Sequence, residues 1–108
     1  MKKLGRGAIT TGGGTLLYTV PTGQRCEVLD INVVNTAASS INLRLHLVPT
    51  GGSADTTNAL FYDAAIPGNT TIQWTGVELL NSGDFIQGIG GASGLTLNIS
   101  GNEYRSNA

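Results

Sequence analysis

Cysteine and histidine occur once each in these 108 residues, as Cys26 and His46. One cysteine closes no disulfide, and one thiol with one imidazole falls short of a four-ligand zinc site. No metal or cofactor is expected, and the fold must rest on packing alone. Charge is scarce as well: Asp, Glu, Lys and Arg make up 12% of the chain, about half the usual share. Apolar runs are a handful of residues long, far short of the roughly 20 that a membrane helix needs. No membrane partner is therefore expected. The basic start Met1-Lys2-Lys3 is soon broken by Gly, Arg and Thr, so no secretion signal is expected and synthesis in a reducing cytoplasm is acceptable.

What the chain does have is 40% apolar residues and 29 Thr, Asn and Ser residues. It solubilises itself with short neutral side chains, a composition unlike that of disordered segments, which combine high charge with few β-branched residues. Length matches one domain. Area scaling lets about 65% of the unfolded surface be buried, enough for a self-standing core. The few charges are unevenly placed. Lys2, Lys3 and Arg6 lie in residues 1–14 with no acid among them, whereas the remainder is acidic. An acidic body argues against a nucleic-acid partner. Residues 1–14, closed by Gly12-Gly13-Gly14, read as a flexible basic arm, and residues 15–108 as the folded domain.

From Thr15 onward the texture is of short β-rich runs separated by turns. Residues 15–20 end at Pro21-Thr22-Gly23, where proline presets one turn dihedral and glycine accepts another. In residues 25–35, Leu29, Ile31 and Val33 are expected to share a face. Residues 41–48 alternate most cleanly: Ile41, Leu43, Leu45 and Leu47 inward, Asn42, Arg44 and His46 outward. Residues 49–58 are too polar and glycine-rich for the interior and read as a loop. Further strands are expected at 60–65, 70–75 (with 77–80 as a continuation), 84–89 and 95–104. Seven or eight short strands with a turn every eight to twelve residues predict an all-β antiparallel sandwich, jelly-roll-like.

Catalytic machinery is hard to assemble from these residues. A Cys26–His46 pair across neighbouring strands is conceivable, but a half-buried thiol and a surface imidazole explain both residues. The acids Asp30, Asp63, Glu78, Asp84 and Glu103 are scattered one per element, unlike a glycosidase pair. The glycine-rich stretch 88–94 lacks a P-loop lysine and opens no helix. No catalytic residue is assigned and no enzyme is expected. The aromatics Tyr18, Tyr62, Trp74 and Tyr104 leave two readings open, a core or interface role and a platform for a sugar ring. Trp74 lies two residues from Ile72 and shares its inward face. Outward faces of Thr, Asn, Ser and Gly with few lysines suit close protein contact and self-association.

In order along the chain come Tyr18-Thr19-Val20-Pro21-Thr22-Gly23, Val33-Val34-Asn35-Thr36, Leu45-His46-Leu47-Val48-Pro49 and Gly51-Gly52-Ser53. Asn58-Ala59-Leu60-Phe61-Tyr62-Asp63, Pro67-Gly68-Asn69-Thr70, Leu80-Asn81-Ser82-Gly83-Asp84 and Ser100-Gly101-Asn102-Glu103-Tyr104 follow. This series, over residues 15–104, resembles the small all-β virion proteins of tailed bacteriophages, which serve as capsid decoration (cement) proteins or minor tail components. The resemblance implies a non-enzymatic virion protein, oligomeric, bound to the major capsid protein on the outer shell or to a tail protein. The expected contact residues are Lys2, Lys3 and Arg6 on the arm, Asn42, Arg44 and His46 on one strand face, and Trp74. A glycan- or receptor-binding tail or fibre module is the alternative.

Overall fold

The computed structural model describes residues 2–9, 11 and 14–105. Eight strands cover most of them: β1 (Lys2–Ala8), β2 (Thr15–Thr19), β3 (Gln24–Asn35), β4 (Ile41–Val48), β5 (Ala59–Ile66), β6 (Thr70–Leu80), β7 (Phe85–Gly90) and β8 (Leu95–Arg105). One 3-10 turn, Thr56–Asn58, precedes β5. The strands form two four-stranded sheets, ordered β1-β8-β3-β6 and β2-β7-β4-β5, with every pairing antiparallel. This is the all-β antiparallel sandwich that the alternation predicts. The first strand pairs with the eighth, the second with the seventh, the third with the sixth and the fourth with the fifth. The connectivity is that of one long hairpin folded across itself. β1 lies against β2, and β5 against β6, so each long side of the sandwich ends in two edge strands.

Period-two alternation fills the space between the sheets. Ile31 and Val33 of β3, Leu97 and Ile99 of β8, Leu43 and Leu45 of β4 and Ile86 of β7 are all buried in one cluster. One expectation about faces shifts. Leu29 is only half-buried while Val28 is buried, because the register between β3 and β8 slips between Val28 and Asp30. The slip is a β-bulge, which inserts one residue and resets the alternation. Residues 70–75 and 77–80 form one continuous strand, β6, again with a slip between its partners Thr75 and Glu78. A third irregularity falls between Lys3 and Gly5 of β1, so all three lie in adjoining rows of one sheet.

The flexible basic arm is corrected. Lys2–Ala8 is an edge strand hydrogen-bonded to β8, Leu4 packs against the core and Ile9 is buried within it. Gly5 serves close approach rather than flexibility: a Cβ there would sit 2.5 Å from the carbonyl oxygen of Leu17 in β2. Most of the Gly12-Gly13-Gly14 hinge lies outside the described residues. Asn35, at the end of β3, is 1% exposed. Its amide donates to the carbonyls of Ser39 (3.0 Å) and Ile66 (2.9 Å), and its oxygen accepts from the Ala37 amide at 2.9 Å. One side chain thereby ties the 36–40 turn to β5.

Candidate functional site

The outer face of the β4-containing sheet carries the most developed surface cluster. Arg44 of β4 donates from Nε to Asp63 Oδ1 (2.7 Å) and from Nη2 to Asp63 Oδ2 (3.1 Å). Its guanidinium lies 4.3 Å from the ring centroid of Tyr62, a cation–π distance. Tyr62 and Asp63 are consecutive in β5, yet both are exposed. Asp63 adopts φ = 53°, a left-handed conformation that is uncommon outside glycine and best tolerated by Asn and Asp. There β5 slips against β4, and the two adjacent side chains flank the same arginine. The Arg44 hydrogen bonds hold the Asp63 carboxyl below its usual range. Asn42, Ile89, Gly90 and Gly91 complete a shallow depression of about 220 Å³ beside the pair.

Asn42 and Arg44 thus stand together on an outer face, as alternation predicts. The other expected contact residues do not join them. His46 points to the same side but is 2% exposed, because the 49–58 loop folds over it. His46 Nδ1 donates to Asn58 Oδ1 at 2.9 Å, and that oxygen also accepts from the Asp55 amide at 3.1 Å. The Asn58 amide donates to the Ser53 carbonyl at 3.0 Å, and Asp55 caps the 3-10 turn. A partner-facing His46 is therefore withdrawn. Trp74 packs half-buried against the core opposite Ile31, the inward placement that its spacing from Ile72 predicts. Lys2, Lys3 and Arg6 lie on β1, in the other sheet. The Cys26–His46 pair does not form either: Cys26 is buried in β3 of one sheet, whereas His46 belongs to β4 of the other.

Cys26 instead adjoins a polar clasp that sequence spacing does not reveal. The Tyr18 hydroxyl of β2 donates to Glu103 Oε2 of β8. Lys2 Nζ of β1 donates to Glu103 Oε1 at 2.6 Å. Three strands from two sheets therefore meet on one carboxylate. Burial, reinforced by the bond to Glu103, pushes Tyr18 well above its ordinary range. Burial likewise raises the Cys26 thiol, so neither group is primed as a nucleophile. The Lys2 bond first, and the Tyr18 bond second, hold Glu103 below its ordinary range. A depressed carboxylate stabilises the fold above its unfolded pKa of about 4.3, and that stability is lost as pH falls through the folded value. Glu103→Gln is expected to cost about 2 kcal/mol near neutral pH and to flatten the acid limb of stability. Urea titrations at neutral and acid pH read both effects; an unchanged acid limb would rule out the clasp as its source.

No known protein-family model matches the chain, and no curated protein matches it. Among the described residues, no group of three or more His, Cys, Asp or Glu is placed to hold a metal ion.

Proposed function

We propose that this chain is a non-catalytic virion protein of a tailed bacteriophage, a capsid decoration protein that binds the outside of the assembled shell. It bridges major capsid subunits, and its copies associate with one another. Bridging adds interface that must be broken before the shell opens, which stabilises the shell by mass action. The observation that carries the adhesive reading is where exposed apolar area lies. Four of the five large apolar side chains exposed among the described residues, Leu16 (62% exposed), Tyr62 (49%), Val77 (61%) and Leu79 (67%), sit on edge strands, Tyr104 of β8 being the fifth. Edge strands are where soluble monomers normally place charge or proline. The Tyr62–Arg44–Asp63 cluster adds the residue types that dominate interface energetics. The jelly-roll reading is supported by the strand orders 1-8-3-6 and 2-7-4-5, an eight-stranded arrangement that viral capsid and lectin domains use. The phage setting itself rests on the resemblance of the turn-and-strand series.

Imaging of purified particles from cells with and without the gene tests this reading. Extra density on the outer head surface is expected when the gene is present. Tyr62→Ala is expected to lower occupancy about tenfold or more without unfolding the domain. Absence of the chain from purified particles would overturn the reading.

The second reading is a tail or fibre module that binds a glycan or receptor. It is favoured by one detail, an exposed aromatic ring beside an amide, a guanidinium and a carboxylate around the depression. On this reading Tyr62 is the sugar platform, since Trp74 is turned inward. Density on the tail, with saturable Tyr62-dependent glycan binding, would select it.

A further inference from the structure

The two long sides of the sandwich differ in character. One side consists of β1 and β2 and carries Lys2, Lys3, Arg6 and the exposed Leu16. The opposite side consists of β5 and β6, which contain no Lys or Arg; of their two acids, Asp63 is paired with Arg44 of β4 and Glu78 is the other. Lys3 and Arg6 bond the neutral Asn98 side chain, and the β3 strand behind β6 adds Glu27 and Asp30 against one base, Arg25. Between β5 and β6 runs a groove of about 390 Å³ in which Leu47, Pro49, Ala59, Leu60, Leu79 and Leu80 alternate with the polar Thr57, Asn58, Glu78 and Asp84. One side is basic with a protruding leucine, and the other is acidic with a groove of mixed apolar and polar lining.

Strand direction permits these sides to meet. β1 is antiparallel to β8, β8 to β3, and β3 to β6. A β1 strand placed beside β6 of another copy therefore continues the alternation, antiparallel to its new neighbour. The second sheet has the same phase, because β2, β7, β4 and β5 alternate in the same way. The rows also match. Lys2 shares a row with Gly101, Val28 and Glu78, and Arg6 shares one with Asn98, Asn32 and Gln73. Continuing those rows across a junction brings Lys2 of one copy beside Glu78 of the next, with Lys3 in the adjoining row opposite Thr75. In the second sheet, Leu16 shares a row with Gln87, His46 and Ala59. A neighbouring copy thus brings Leu16 to the groove that Ala59 lines.

We propose that the occupant of the β5/β6 side is a second copy of this chain, docked through its β1/β2 side so that both sheets continue across the junction. Such an interface is heterologous, using a different surface on each copy, and it generates a ring or an open array rather than a closed two-fold dimer. It rests on the self-association proposed above and assigns its two surfaces. Edge backbone groups supply hydrogen bonds, Leu16 fills the groove, and the opposed charges set orientation and pairing.

Charge reversal tests the assignment, read by sedimentation of the purified full chain over a concentration series. Wild type is expected to self-associate, less so at high salt. Glu78→Lys alone, and Lys3→Glu with Arg6→Glu, are each expected to weaken association about tenfold or more. An equimolar mixture of the two variants is expected to recover it, because each supplies the charge opposite to the one the other has introduced. Leu16→Ser serves as a charge-free second probe and is expected to weaken association as well. Unchanged circular dichroism and urea midpoints exclude unfolding as the cause. Wild type that stays monomeric throughout would overturn both self-association and this interface. Wild type that associates while every variant behaves identically would leave self-association standing and overturn the interface alone.

Discussion

Gly101→Ala is expected to cost about 3 kcal/mol of folding stability, since new atoms forced into a tightly packed site shift backbone rather than side chains. Gly101 is buried in β8 opposite Val28 of β3, next to the bulge at Leu29. A Cβ there would run into the carbonyl oxygen and carbon of Glu27 and press on Leu4 of β1 at 3.1 Å. The loss would appear as a lower urea midpoint with an unchanged slope. Gly23→Ala is the matched control. Gly23 adopts φ = 81° but has nothing within 4 Å of its added carbon, so it carries only the left-handed penalty of about 1–2 kcal/mol. Equal losses at the two glycines would refute the steric account of Gly101.

Asn35→Leu is expected to be comparably harmful, at roughly 3 kcal/mol, because polar groups stranded in the interior keep their desolvation cost. The amide of Asn35 serves the Ser39 and Ile66 carbonyls, and its oxygen serves the Ala37 amide. Leucine has a similar size and serves none of them. The loss should be accompanied by faster hydrogen exchange at Ala37, whose amide would lose its acceptor. A destabilised variant with unaltered exchange there would point to bulk rather than to the lost hydrogen bonds.

Alternation made the centre of the fold legible, and cross-strand chemistry made its margins opaque. Ile41, Leu43 and Leu45 could be placed inward, and Asn42 and Arg44 outward, because the side-chain period of a strand is two and β4 pairs with β7 without a slip. The Pro21-Thr22-Gly23 turn was equally readable, and the Gln24 amide closes it on the Pro21 carbonyl at 3.1 Å. β1 was not readable, because glycine signals freedom and close packing with the same letter. Leu29 lost its expected face to a bulge, which belongs to a pair of strands rather than to either one. Within the candidate site Tyr62 was weighed as an aromatic platform, but its grouping with Asp63 around Arg44 escaped for a related reason: left-handed backbone at Asp63 defeats the period. The available signal was an aspartate directly after Leu60-Phe61-Tyr62, a polar residue where a strand should continue. His46 looked like a surface residue because loop coverage is a tertiary fact, invisible to local pattern. The Lys2–Glu103–Tyr18 clasp joins residues about a chain length apart, and spacing carries no trace of it.

The three slips at Lys3/Gly5, Val28/Asp30 and Thr75/Glu78 form a crease running from one rim of the sheet to the other. A crease works as a key. Sliding any strand by one residue would carry its fold out of line with its neighbours, so mispaired registers meet a shape penalty besides the exposure of apolar side chains. Because the crease reaches both free rims, a copy docking in the proposed way would have to align its own fold with the one it meets, and growth by addition would be confined to a single phase.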